Sequence, residues 1–164
     1  MVSDKYRIYG AEMSPYSVKI RSYFRYKSIP HQWLQRMQHD EDFKKYARLP
    51  IIPLVVTPED EGIQDSTPII EKLEKIYPDP SIHPEDPTLA FLSALIEEFG
   101  DEWGNKLLFH HRWYSETDQV ASAHILARDV MPDADADTIG GLAEKIRNRM
   151  SGRGAFVGSS AETA

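Results

Sequence analysis

Three short stretches hold residues whose types and spacing can do chemistry. The first is Ser14-Pro15-Tyr16-Ser17, which follows the run Tyr6-Arg7-Ile8-Tyr9. Ser favours the N-cap because its oxygen can accept from an unpaired first-turn N–H. Pro favours the next position, where its missing donor costs nothing. Beyond it Tyr16, Ile20, Tyr23 and Phe24 share one helical face, with Lys19, Arg21, Arg25 and Lys27 largely elsewhere. The spacing predicts a strand over 6–9, a tight turn, and a helix from Ser14 to about Lys27. Free N–H groups at such a helix start suit an anion; plain capping is the competing reading. The second stretch, Asp65-Ser66-Thr67-Pro68, opens another helix, striped by Ile69, Ile70, Leu73, Ile76 and Tyr77. It offers the same two readings. The third is Ile52-Pro53, inside the apolar run Ile51–Thr57, which reads as a buried strand with proline tolerated near its start.

The elements that position these residues follow from the intervening chain. Gln32-Trp33-Leu34-Gln35 alternates as a short strand, and His39 to Tyr46 predicts one or two helical turns. Pro58–Gly62 is a hairpin turn returning through Ile63-Gln64. The order is β-α-β-α-β-β-α. Residues 78–87 then contain four prolines, which excludes a helix and marks a linker. Everything after it is helical. Leu89, Leu92, Leu95, Ile96, Phe99 and Trp103 keep helical spacing, with breaks expected at Gly100 and Gly104. Further helices are predicted over 120–130 and 137–150. Trp103, Phe109, Trp113 and Tyr114 read as packing residues.

Composition sets the outer bounds. A net charge of −7 argues against general binding of nucleic acid, which wants a basic face. No cysteine is present, so disulfides, thiolate metal sites and chemistry by a protein thiol are excluded. Residues 1–5 lack an apolar targeting core, and no apolar run approaches a membrane span. A cytoplasmic location without membrane contact is expected. His110-His111 near Glu98, Asp101 and Glu102 do not favour a shared metal, since neighbouring helical residues point about 100° apart. No metal site is expected.

Taken together, the chain resembles the cytosolic glutathione S-transferases, in a serine-type and bacterial-like form. Tyr9-Gly10-Ala11-Glu12-Met13-Ser14-Pro15-Tyr16-Ser17 is similar to the segment carrying the catalytic Ser of the serine-type members. Ile52-Pro53 matches the cis-proline position, and Asp65-Ser66 the pair that grips the γ-glutamyl end of glutathione. The resemblance implies a thioredoxin-like α/β domain over residues 1–80, a linker over 81–87, and a partial all-α domain over 88–164. The chain ends where the central helix of that second domain should begin, as expected of a piece of a longer protein.

The implied activity is conjugation of glutathione, as co-substrate, to a small hydrophobic electrophile. Ser14 would hydrogen-bond the sulfur anion, Ile52 with Pro53 would dock the peptide backbone, and Asp65 with Ser66 would hold the γ-glutamyl group. Tyr9 is a rival for Ser14, and Tyr16 and Ser17 are secondary candidates. Ile51 stands where the family often places a polar residue for the glycyl carboxylate, leaving Lys44, Lys45 or Arg48 as substitutes. The resemblance also implies a homodimer and a role in detoxification. The alternative is a non-catalytic member used for binding or assembly. Thiol–disulfide exchange is disfavoured, because serines occupy both positions where it would need cysteine.

Overall fold

In the computed structural model, which describes residues 5–163, the chain forms two compact units, one ending at Glu85 and one starting at Asp86. The first is built on a four-stranded sheet. Its elements are β1 (Tyr6–Gly10), α1 (Pro15–Tyr26), β2 (His31–Gln35), α2 (Asp40–Tyr46), β3 (Leu54–Val56), β4 (Gly62–Gln64) and α3 (Ser66–Ile76). A single 3₁₀ turn, Arg36–His39, leads into α2. The strand order is β2-β1-β3-β4, parallel between β1 and β2 and antiparallel elsewhere.

Side chains alternate across this sheet with period two, and each face finds its own cover. Tyr6, Ile8 and Val55 pack against Ile20, Tyr23 and Phe24 of α1 and Ile69 and Leu73 of α3. Tyr9, Leu54 and Val56 take the other face, with Leu34, against Phe43 of α2. Fully burying each large apolar side chain is worth about 1.5–3 kcal/mol, so this pattern decides which face each helix covers. The strand expected over 51–57 is shorter, because Pro53 cannot donate to a ladder. At its other end the Thr57 N–H bonds the Glu61 carbonyl at 2.9 Å and closes the turn.

Lys27 departs from the sequence expectation. Read as part of the charged face of α1, it has a fully buried side chain, 2.6 Å from the Glu74 carboxylate. Its Nζ also donates to the carbonyls of Tyr77 and Pro80 at 2.7 and 2.6 Å. Three acceptors for three ammonium protons satisfy the charge, and tie the end of α3 and the following proline segment to α1. The Ile52–Pro53 and Asp79–Pro80 peptides are both cis.

The second unit is helical: α4 (Pro87–Phe99), α5 (Asn105–Trp113), α6 (Glu116–Val130) and α7 (Ala136–Ser151). Asp86, Ser115 and Asp135 cap α4, α6 and α7, each accepting from the N–H three residues on. The expected breaks at Gly100 and Gly104 do not occur. Residues Gly100–Gly104 form a π-helical turn that carries α4 directly into α5. Trp113, Ala123, Ala127, Ile139 and Ala143 form the core of this unit. Of the four residues expected to pack, Trp113 is buried and Phe109 packs against its cluster, whereas Trp103 and Tyr114 are more than half exposed. No described helix is long and apolar enough to cross a membrane.

Candidate active site

The sheet register brings the three singled-out stretches together. Tyr9 lies opposite Leu54, and Leu54 opposite Gln64. The ends of β1 and β4 and the start of β3 therefore meet at one end of the sheet. From there the chain leaves β1 toward Ser14, enters β3 through Ile52-Pro53, and leaves β4 into Asp65-Ser66. Helices α1 and α3 share one face of the sheet and one core. Both begin at this end, so both point the positive ends of their dipoles there.

Ser14 is the N-cap of α1, and its Oγ accepts from the Ser17 N–H at 3.3 Å. The hydroxyl proton is not used by that bond. Ahead of Ser14, Arg21 donates to Glu12 at 2.8 Å and stacks 4.3 Å from the Trp33 ring centroid, pinning the turn to its own helix. This bonding by Arg21 holds the Glu12 carboxyl below the usual range. Gly10 is required where β1 ends, since a Cβ there would fall 2.5 Å from the Trp33 ring and 2.8 Å from the Ser17 Cβ.

Two of the secondary candidates are fully buried. Tyr9 is fully buried, and its hydroxyl donates to the Asp42 carboxylate. Burial first, and that carboxylate second, push its ionisation upward, away from any role as an easily formed phenolate. Ser17 is also fully buried, against Gly10, and its Oγ has no hydrogen-bond partner among the described residues. Tyr16, half-buried in the first turn of α1, remains beside Ser14.

Ile52 presents its backbone: neither its N–H nor its C=O has a hydrogen-bond partner among the described residues. Asp65 corrects the capping expectation. It stands at the N-cap of α3 with φ 74° and ψ 138°, yet its side chain makes no capping bond and is exposed. A left-handed φ at a non-glycine residue costs about 1–3 kcal/mol, and here no capping bond offsets it. Ser66 is buried, so what it offers outward is the backbone of the first turn.

A cleft of about 730 Å³ opens beside these residues, lined by Arg48, Ile51, Gln64, Asp65, Pro68 and Lys72 among others. Of its cations, Lys72 is paired with Glu61 at 3.1 Å. The alternatives outside it are also committed, Lys44 to Asp40 at 2.6 Å and Lys45 to Asp42 at 3.2 Å. Arg48 has no acidic partner among the described residues. Gln64, which sequence reasoning missed, bonds the loop over 48–51 through both ends of its amide. Its one sequence signal is an amide next to Asp65, in what proves to be an edge strand.

Residues 8–81 match the family described as glutathione S-transferase, N-terminal domain. This segment is similar to a glutathione S-transferase N-terminal domain. Solved transferases share its fold together with the helices that follow. One from Methylobacterium radiotolerans, in complex with glutathione sulfonate, is 18% identical over 93% of this chain and 92% of its own, with a TM-score of 0.57. One from Methylobacillus flagellatus with glutathione bound is 20% identical over 89% of this chain and 66% of its own, at 0.54. A Tau-class transferase from mango, Mangifera indica, is 19% identical over 90% and 79%, at 0.56. No curated protein matches the chain. At these identities the likeness carries the fold alone: a thioredoxin-like domain followed by helices arranged as in the solved structures.

Proposed function

We propose that the chain is a serine-type glutathione transferase that activates glutathione as a thiolate and joins it to a small hydrophobic electrophile. The observation that carries this reading is the meeting of two helix starts and an unpaired Ile52 backbone at one end of the sheet. Glutathione is an anionic, extended peptide, and each part has a counterpart there. The sulfur rests at Ser14 and the start of α1. The cysteinyl backbone pairs with Ile52 next to Pro53, as an added strand would. The α-carboxylate faces the first turn of α3 at Ser66, and Asp65 takes the amine. Arg48, left without an acid of its own, takes the glycyl carboxylate in place of Ile51.

The chemical task is proton management. A free thiol has a pKa of about 8.5, and lowering it by roughly two units takes about 2.7 kcal/mol of extra stabilisation for the anion. A hydroxyl donor and a helix N-terminus each favour negative charge and together are of that order. Ser14 then donates to sulfur and forms no bond to carbon. The attack joins sulfur to the electrophilic carbon, and the electron pair leaves with the displaced group or moves onto the acceptor.

A homodimer belongs to the same reading, supported by the exposed apolar residues Leu89, Phe91, Leu95, Ile96 and Phe99 of α4, and a cytoplasmic location is proposed with it. Titration calorimetry with glutathione tests the proposal. Saturable heat at one site per chain, weakened at least fivefold by Arg48→Ala, is the expected result; no heat at millimolar glutathione would reject it.

A further inference from the structure

Between α2 and β3 the chain passes through Arg48-Leu49-Pro50-Ile51-Ile52-Pro53 with no regular structure of its own. Pro53 is fully buried and Ile52 packs on the Tyr9–Phe43 cluster, which anchors the end of the loop that enters β3; residues 48–51 have no such anchor. Pro50 and Pro53 have no N–H to give. Leu49 and Ile51 are 58% and 46% exposed, so neither is anchored by burial. Yet this loop delivers Ile52 to the end of the sheet.

Residues 48–51 are restrained by one side chain. Gln64 Oε1 accepts from the N–H groups of Arg48 and Leu49, at 2.8 and 3.0 Å. Gln64 Nε2 donates to the carbonyls of Leu49 and Ile51, at 2.8 and 3.0 Å. The amide thus uses two lone pairs and two protons, its full capacity. Gln64 is the last residue of β4, the edge strand, where no further strand supplies a ladder. Its side chain acts in place of that strand. It also stands immediately before Asp65, whose backbone turns to φ 74°.

We propose that Gln64 is a positioning residue that fixes the Ile52 loop against the Asp65 turn, so that both halves of the glutathione site are held in register by one amide. The inference rests on the glutathione reading above. Gln64 touches no reacting atom and acts through the backbone of residues 48–51. A side chain of equal length without hydrogen bonds leaves the fold of the sheet alone and frees the loop. Glutamate keeps the acceptor but sets a second anionic oxygen against the carbonyls of Leu49 and Ile51, where a donor is needed.

The test compares the full chain with Gln64→Met and Gln64→Glu, after circular dichroism and thermal melts have shown that each variant folds. Two readouts are taken: the rate of tryptic cleavage after Arg48, and the Kd for glutathione by calorimetry. Expected are a cleavage rate at least fivefold faster and a Kd at least fivefold weaker in both variants, with the cleavage effect present before any glutathione is added. Unchanged cleavage after Arg48 overturns the clamp, and so does faster cleavage with an unchanged Kd. If the unaltered chain takes up no glutathione, the glutathione reading fails and this role falls with it. If that chain binds and the variants bind equally, only the role of Gln64 is lost. Should Gln64→Met not fold, Gln64→Glu carries the same two outcomes.

Discussion

Ser14 can serve its helix and a ligand at once, because the two tasks use different parts of one hydroxyl. Its lone pair accepts from the Ser17 N–H, a bond that leaves the hydroxyl its own proton to donate. This separates the variants at the position. Ser14→Ala loses both tasks; the cap alone is worth about 1 kcal/mol, and turnover should fall at least tenfold. Ser14→Asp keeps a good cap but cannot donate when ionised, and it sets a negative charge against the sulfur. Thermal melts should therefore rank Ser14→Asp close to the parent and above Ser14→Ala, while conjugation rates place both far below it. If Ser14→Asp turns over at the parent's rate, the hydroxyl is only a cap. The pairing of Ser14 with its helix was legible in the sequence, since cap chemistry is local. The burial of Tyr9 and Ser17 was not, because it depends on Phe43, Trp33 and Gly10 arriving from elsewhere.

At the scale of elements, the join between α1 and the end of α3 depends on an ion pair that lies out of water. Burial pushes the Glu74 carboxyl up, but bonds from Lys27 and Tyr23 outweigh it, and the net effect is a pKa below its ordinary 4.5. A carboxyl whose folded pKa is depressed stabilises the fold above its unfolded pKa, and that contribution is lost as pH falls through the folded value. Denaturant midpoints should therefore drop as the medium is acidified below about pH 4.5. Glu74→Gln should remove part of that slope and destabilise the neutral protein by about 3–5 kcal/mol, since Lys27 keeps its charge in a buried place. An unchanged acid slope in this variant would assign it to other carboxyls. Sequence reasoning placed α1 and α3 correctly from their apolar stripes. It put Lys27 on the solvent side, because helical spacing cannot show that the chain after α3 crosses over that residue. The glycines of the second unit misled for a related reason. Gly100 and Gly104 weaken a helix, but a π turn carries α4 through them into α5 without a break.

For the whole molecule, the order of elements and their division into an α/β and a helical unit were readable because hydrophobic period and proline punctuation act locally. How the site ends converge was readable only through family resemblance, since the register Tyr9–Leu54–Gln64 leaves no mark in any one stretch. The four bonds of Gln64 left even less. The exposed apolar side chains of α4 bear on assembly. Light scattering on the full chain should give twice its 18.8 kDa, and Phe91→Glu with Ile96→Glu should return it to one. A monomer at every concentration would remove the homodimer from the account.

The central claim is that a sulfur anion is stabilised at the start of α1 by the Ser14 hydroxyl. It is tested most directly by titrating the thiol of bound glutathione through its thiolate absorbance, in the parent and in Ser14→Ala. Expected is a pKa roughly two units below the free value of about 8.5 in the parent, moving back toward that value in the variant. A bound thiol that titrates as it does in water, or one equally depressed without the hydroxyl, would contradict it.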